Sequence, residues 1–133
     1  MKIFFLIVVW ALHGCVSMQH IDNYEDSELN KTEVQRIAKD GGDILAAHYP
    51  PGKTIISLKS VGVFGDLLGE ELRHHGFGVQ EKGTTVLHYL LDKMDEQTWR
   101  LGLITDYWRS DSIYYLGDNQ ELIRGNQTQR SSK

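Results

Sequence analysis

The spacing of apolar residues changes once along this chain, near residue 84, and the change limits the folds open to it. In two stretches before that point, apolar residues recur at steps of three and four, which places them along one side of an α-helix. From Thr84 onward apolar and polar residues alternate, as in strands with one buried face. The pattern predicts an α+β domain in which two helices pack on one face of a small, mixed, mainly antiparallel sheet with a C-terminal meander.

The first helix is predicted to begin after Asn30 and to end before Pro50. Asn30 and Glu33 have the three-residue spacing of a capping box, in which each side chain accepts a hydrogen bond from the other residue's backbone. Proline disfavours helical geometry in the residue before it and lacks an N–H group, so the Tyr49-Pro50-Pro51-Gly52 run ends the helix. The apolar stripe between these limits consists of Val34, Ile37, Ala38, Gly41, Ile44, Leu45 and His48.

A strand, a helix and a second strand are predicted next. Lys53–Lys59 is short and rich in β-branched residues, which is typical of a strand. Ser60 is a candidate cap for the second helix, and Gly76 is a candidate left-handed stop. Phe77–Glu81 is then predicted to lie parallel to Lys53–Lys59, because the helix between them provides the crossover that parallel strands need.

The C-terminal part of the domain is predicted to be a meander of four strands. The intervening KMDE, RSD and GDN segments carry turn-forming residues. On the second strand, Trp99, Leu101, Leu103 and Thr105 share one face because side chains alternate along a strand. The four predicted strands are Thr85–Asp92, Thr98–Trp108, Ser112–Leu116 and Gln120–Arg124.

The first fifteen residues have the layout of a bacterial secretory signal. Lys2 precedes an unbroken apolar run, Ile3–Leu12. As a helix this run would be about 15 Å long, against a hydrocarbon core of about 30 Å, so it is too short for a comfortable membrane span. We therefore expect residues 1–14 to be a cleaved signal peptide.

The end of this segment resembles a lipobox. Leu12 and Gly14 occupy the positions that the signal peptidase recognises, and Cys15 occupies the position that receives the lipid; His13 departs from the usual small or branched residue. Cys15 is the only cysteine, so it cannot form an internal disulfide. The alternative is a plain secretion signal with an accidental cysteine. The lipid on Cys15 is the only attached group expected, with no other cofactor.

A lipidated chain of this kind is expected to remain on a membrane. Each acyl chain contributes about 0.8 kcal/mol per buried methylene group, and stable anchoring needs about two chains or more. Val16 follows the cysteine in place of the aspartate that, in enteric bacteria, typically retains lipoproteins at the inner membrane. The expected location is the periplasmic face of the outer membrane.

The remaining chain is expected to contain one compact domain. Residues 15–29 are polar and acidic, which predicts a lipidated cysteine followed by a flexible tether. Residues 30–124 form the predicted periplasmic α+β domain, and residues 125–133, GNQTQRSSK, are predicted to be a disordered tail. After removal of residues 1–14 the chain carries 13 basic and 18 acidic side chains, a net charge of −5. This balance argues against direct binding of nucleic acid.

No residue pattern in the chain is typical of an enzyme or a metal site. The sequence contains no glycine-rich phosphate loop, catalytic triad signature or metal motif. His74 and His75 are adjacent on a helix and point about 100° apart, so they are poorly placed to bind one ion together. His88 could pair with Asp92 or Asp106, but no activated nucleophile lies nearby in sequence. We expect a non-enzymatic protein with no small-molecule substrate.

Aromatic residues and an arginine cluster near the predicted third turn of the sheet. Trp108, Arg109, Tyr114 and Tyr115 have the composition of a protein interface. Strand alternation sends about half of such residues into the core, so the cluster is either an interface or part of the core.

Three segments resemble the TrbH family of conjugal-transfer lipoproteins: YPPGKTIISL, FGDLLGEELRHHGFGV and LHYLLD. The resemblance covers about residues 30–120 together with the lipobox. It implies a structural component of the mating-pair-formation apparatus, a type IV secretion system, with partners among its core-complex proteins. The short predicted strands Phe77–Glu81 and Ser112–Leu116 are candidate sheet edges for strand addition. The alternative is a general envelope or peptidoglycan-associated lipoprotein that is not tied to conjugation.

The lipid anchor can be tested directly. Cys15→Ser removes the thiol, so it is expected to abolish labelling by a palmitate analogue and to release the protein from membranes. In-gel detection of the label and sedimentation of membranes measure the two effects. Unchanged membrane association of the variant would contradict the prediction.

Overall fold

The computed structural model describes residues 22–131. They form two helices and eight strands around a single hydrophobic core. The predictions for residues 1–21, which include Leu12, Gly14 and Cys15, lie outside the described residues. In chain order the elements are β1 (Tyr24–Asp26), α1 (Lys31–His48), β2 (Ile55–Ser57), α2 (Gly62–His74), β3 (Gly78–Gln80), β4 (Thr85–Val86), β5 (His88–Asp95), β6 (Thr98–Ile104), β7 (Trp108–Leu116) and β8 (Leu122–Ser131).

The strands form two sheets. The larger has the order β1-β5-β6-β7-β8, with β5 to β8 antiparallel and β1 parallel to β5. It confirms the predicted α+β architecture with a mixed, mainly antiparallel sheet that ends in a meander. The smaller sheet has the order β3-β2-β4 and is entirely parallel. It contains the predicted crossover, in which α2 connects β2 to β3.

The two sheets are joined at Leu87, the residue between β4 and β5. The backbone N–H of Leu87 donates to the carbonyl of Ser57 at 3.0 Å, and its side chain is fully buried. The stretch from β4 through β5 therefore passes from the smaller sheet into the larger one. Because the same stretch belongs to both sheets, their buried faces contribute to one core.

The helices cover one face of the larger sheet, which we call the helix face. Its buried residues on β6 are Trp99, Leu101 and Leu103, as predicted. A Cβ added to Gly41 of α1 would lie 3.2 Å from the Cδ1 atom of Leu68 and 3.6 Å from a methyl group of Leu101. A hydrogen at this position therefore lets α1 approach both α2 and β6 closely.

Helix α1 begins and ends as the sequence predicts. The backbone N–H of Glu33 donates to the Asn30 side chain at 2.9 Å, and the Asn30 N–H donates to the Glu33 carboxylate at 3.2 Å. The helix ends at His48, ahead of the two prolines, and a short 3-10 turn follows at Pro51–Lys53. No helix within residues 22–131 is both long and apolar enough to span a bilayer.

The start of α2 differs from the prediction. Ser60 does not cap the helix, because its hydroxyl donates to the Asp66 carboxylate at 2.6 Å. The carboxylate of Glu25, in β1, instead accepts from the backbone N–H of Phe64 at 2.9 Å. An anion at a helix N-terminus is favourable because the unpaired N–H groups there carry partial positive charge. A side chain distant in sequence thus performs the role predicted for a local one.

The end of α2 is as predicted. Gly76 has a φ of 97°, in the left-handed region that favours glycine, and the helix stops at His74. The N–H of Phe77 then donates to the carbonyl of Leu72 at 3.1 Å, and the Phe77 ring is buried. The chain is thereby turned into β3, beside β2.

The folded region extends beyond the predicted domain at both ends. Residues 22–29, predicted to be part of a flexible tether, contain β1, and the indole N–H of Trp99 donates to the Ser27 carbonyl at 2.7 Å. Residues 125–131, predicted to be a disordered tail, belong to β8. Both segments are polar because one face of the sheet is solvent-exposed, so neither shows an apolar signal.

The predicted third turn and one predicted edge are also wrong. The RSD segment, Arg109–Asp111, lies inside β7, and the chain turns at residues 105–107 instead. Small, fully buried Ser110 and Ser112 take helix-face positions, so the strand continues through residues that looked like a turn. The predicted edge strand Ser112–Leu116 is part of β7, which lies between β6 and β8. The other predicted edge is confirmed as β3.

Two glycines of α2 give a matched test of this packing. An added Cβ at Gly65 would lie 2.6 Å from the Ser60 hydroxyl and even closer to the Tyr89 hydroxyl, which bonds both backbone groups of Val61. At Gly69 the nearest atoms are 3.5 and 3.6 Å away. Gly69→Ala is expected to stabilise the fold by up to about 1 kcal/mol through helix propensity. Gly65→Ala is expected to destabilise it by about 1–3 kcal/mol through overpacking.

Denaturant unfolding of the two variants and the unmodified protein measures both effects. Equal stability changes for Gly65→Ala and Gly69→Ala would contradict the close contact at Tyr89.

Candidate interaction surface

The four residues of the predicted interface do not share a surface. Trp108 and Tyr114 lie on the helix face and are each only 2% exposed, so their prediction as interface residues is wrong. Arg109 and Tyr115 point to the other face of the sheet, where Tyr115 is 43% exposed. Strand alternation divides the cluster and leaves its two buried aromatic rings, Trp108 and Tyr114, on one side of the sheet.

Trp108 completes the core at one end of the sheet. The His48 ring stacks on it, with centroids 4.5 Å apart, and the Tyr49 ring meets it edge-on at 6.2 Å. The hydroxyl of Tyr49 shares a 2.6 Å hydrogen bond with that of Thr105. His48, predicted to lie on the apolar stripe of α1, therefore serves to cover an aromatic core residue.

Tyr114 reaches through the helix face to α1. Its hydroxyl donates to the Asp40 carboxylate at 3.1 Å. Burial raises the pKa of the Tyr114 hydroxyl far above its ordinary value of 10.0, and the negative charge of Asp40 raises it further. This bond fixes the position of a carboxylate close to the surface.

A basic cleft surrounds this carboxylate, between α1 and the first residues of β8. The cleft has a volume of about 130 Å³, and Arg36, Lys39 and Arg124 lie around it. The Lys39 Nζ atom lies 2.9 Å from the Asp43 carboxylate, and the Arg36 guanidinium lies 3.8 Å from a carboxylate oxygen of Glu121. Of the residues that line the cleft, three are cationic and one, Asp40, is acidic. This group is not evident from the sequence, although Arg36 and Lys39 have the three-residue spacing of one helix side.

The second face of the larger sheet is not covered by any element in residues 22–131, and we call it the open face. Its charged groups are largely paired with each other. Arg100 donates to both oxygens of Asp92 at 3.1 and 2.9 Å, and Arg109 donates to both oxygens of Asp111 at 2.8 and 3.0 Å. The bond to Asp111 raises the pKa of the Arg109 guanidinium. Exposed apolar groups on this face include Tyr24, Tyr115 and Ile123.

The histidines considered for catalysis or metal binding have other surroundings. Asp92, a candidate partner of His88, is held by Arg100. His88 lines a cleft of about 340 Å³ near the junction of the two sheets. His75 lies 2.8 Å from Asp43, which joins α2 to α1. Among the described residues, no group of three or more potential ligands is placed to hold a metal ion.

Comparison with known protein families gives a match. The model of the family described as conjugal transfer protein TrbH matches residues 17–126 of the chain. The matched segment contains both helices, strands β1 to β7 and the first part of β8. No curated protein and no solved structure matches the chain.

The buried Tyr114 hydroxyl predicts a loss of stability at alkaline pH. The unfolded phenol releases its proton near pH 10 while the folded one retains it, so the folded state binds more protons and becomes less stable as pH rises. Above about pH 10 this residue alone contributes a slope of about 1.4 kcal/mol per pH unit. Tyr114→Phe should remove that slope, although it also removes the hydrogen bond to Asp40.

Denaturant unfolding from about pH 9 to about pH 11 measures the slope. Tyr115→Phe, which removes an exposed phenol from the same strand, is the matched control. An equally steep decline in Tyr114→Phe and the unmodified protein would contradict the assignment.

Proposed function

Because the chain belongs to the TrbH family of conjugal transfer proteins, we propose that it is a non-enzymatic assembly component of a conjugative type IV secretion apparatus. We propose further that a lipid on Cys15 anchors it to the periplasmic face of the outer membrane. The observation that carries the assembly role is the family match, which spans nearly the whole folded region.

The geometry of the domain supports a role in docking. Within residues 22–131 the surface offers the open face and, at β3, a strand edge without a partner strand, and both are suited to contact with another protein. The arginine and aspartate side chains of the open face form bidentate pairs with one another. Such pairs keep charged groups in fixed positions, which favours specific recognition.

The anchor and the fold together limit the position of the domain. Residue 22 is the first described residue, and six residues, 16–21, lie between it and Cys15, which makes seven chain steps. A fully extended chain covers at most about 3.3–3.6 Å per residue, which gives a maximum of about 25 Å. The proposed anchor would therefore hold the domain close to the membrane, where envelope-spanning subunits pass.

The test is a deletion of the gene in a donor cell that carries its transfer system. Deletion is expected to reduce the frequency of conjugation, and the unmodified chain is expected to restore it. Cys15→Ser should restore it poorly because the protein leaves the membrane. His88→Ala should restore it fully, whereas an enzyme that uses His88 would lose its function.

Crosslinking in the same donor identifies the class of partner. A core-complex subunit of the secretion system is the expected product. Capture of no such subunit, together with conjugation unaffected by the deletion, would contradict the proposal. Co-sedimentation with cell-wall sacculi under those conditions would instead support the alternative of a general envelope lipoprotein.

A further inference from the structure

Among the described residues, strand β8 offers the longest free edge. It is ten residues long and, within residues 22–131, pairs with β7 alone. The backbone groups on its outer side therefore have no strand partner. Such an edge can receive an added strand, and native proteins usually control what pairs with it.

A bulge in β8 sets the directions of its two arginines. Ser112 pairs with Gln127 and Tyr114 pairs with Arg124, so two steps along β7 correspond to three along β8. Without the extra residue, Arg124 and Arg130 would share a face, since they are six residues apart. With it, Arg124 lies beside Tyr114 on the helix face, and Arg130 lies opposite Arg109 on the open face.

Each end of this edge is basic. On the helix face, Arg124 borders the basic cleft with Arg36 and Lys39. On the open face, Arg130 and Arg109 are directly opposite each other and line one shallow cavity. Neither Arg124 nor Arg130 forms an ion pair with a described residue, and β8 contains no acidic residue. A chain with a net charge of −4 thus concentrates unpaired positive charge along one strand edge.

These features disfavour a second copy of the chain as the occupant. Pairing of two β8 strands would bring two sets of arginines together and would place two bulges in one ladder. Charged residues and bulges at edges are the devices by which proteins prevent such pairing. An acidic strand, in contrast, would supply the missing counter-charges.

We propose that β8 receives an extended acidic segment of a partner protein as a sixth strand of the larger sheet. Two carboxylates in that segment meet Arg124 and Arg130. Their spacing follows from β7, where the residues opposite these arginines, Tyr114 and Arg109, are five positions apart. A regular strand added on the other side of β8 has the same number of positions between these two points. Its carboxylates are therefore five residues apart and point to opposite faces.

The strand-addition proposal rests on the proposed function in one respect: the partner is expected among the proteins of the transfer apparatus. The probe is a fluorescein-labelled peptide of threonine and valine, equal in length to β8, with two glutamates five residues apart. Fluorescence anisotropy measures its binding to the full-length protein purified in detergent. Matched peptides carry the glutamates four residues apart, or lysines in place of the glutamates.

The peptide with glutamates five residues apart is expected to bind best and the lysine peptide worst. R124E/R130E should weaken binding of the glutamate peptide about tenfold and favour the lysine peptide. K59E/K82E changes the net charge equally but lies away from β8, so it should bind like the unmodified protein. Circular dichroism of R124E/R130E verifies that the variant is folded.

Peptide N-methylation tests for strand addition itself. Alternate amides of an added strand face β8 or solvent, so methylation of one alternate set should abolish binding and methylation of the other should not. Equal effects of the two sets would overturn the proposal. So would equal binding of the glutamate and lysine peptides, preferential binding of a single-stranded oligonucleotide, or self-association that R124E/R130E abolishes.

The result of the peptide-binding experiment can be distinguished from the result of the conjugation experiment that tests the proposed function. If peptide binding fails while deletion still reduces conjugation, the strand-addition proposal is rejected and the assembly role stands. If the peptide binds as expected while deletion has no effect on conjugation, β8 remains a docking edge and the partner lies outside the transfer apparatus.

Discussion

The fold depends on one stretch of backbone that belongs to two sheets. β4 and β5 are separated only by Leu87, whose amide bonds to Ser57 of the smaller sheet before the chain enters the larger one. This junction fixes the relative position of the sheets, and α1 and α2 then cover the shared buried surface. At Gly41, α1 closely approaches both α2 and the larger sheet. The relative positions of the sheets and helices in turn set the positions of the basic cleft and the open face.

Much of the fold follows from local sequence rules. Three features were predictable because each depends on a few neighbouring residues or on a well-established crossover rule. They are the capping box at Asn30, the left-handed stop at Gly76 and the parallel pairing of β2 with β3. β1 and the second half of β8 were not. They are polar strands held by the backbone of a neighbour, and a three-residue strand such as β1 has no periodicity to detect. The predicted cap of α2 was wrong because the side chain that bonds the helix start, Glu25, is distant from it in sequence.

The candidate surface could be predicted only in part. Composition identified Arg109 and Tyr115, which are exposed, together with Trp108 and Tyr114, which are buried. Alternation could have separated them if the turn before β7 had been placed correctly. The basic cleft was beyond local reasoning, because Arg36 and Arg124 meet only after α1 packs against the last strands. The bulge that points Arg124 and Arg130 to opposite faces is likewise a property of strand pairing.

The position of β1 has a mechanical consequence. It is the first strand within residues 22–131, it runs parallel to β5, and its Glu25 is bonded to the first turn of α2. Tension applied to the chain ahead of residue 22 would therefore act first on β1 and pass directly to β5, the strand that continues from one sheet into the other. A pull from the N-terminal side is thus delivered to the centre of the molecule, whereas a pull at the other end would first peel away β8. The two ends of this small domain differ in the forces that they can resist.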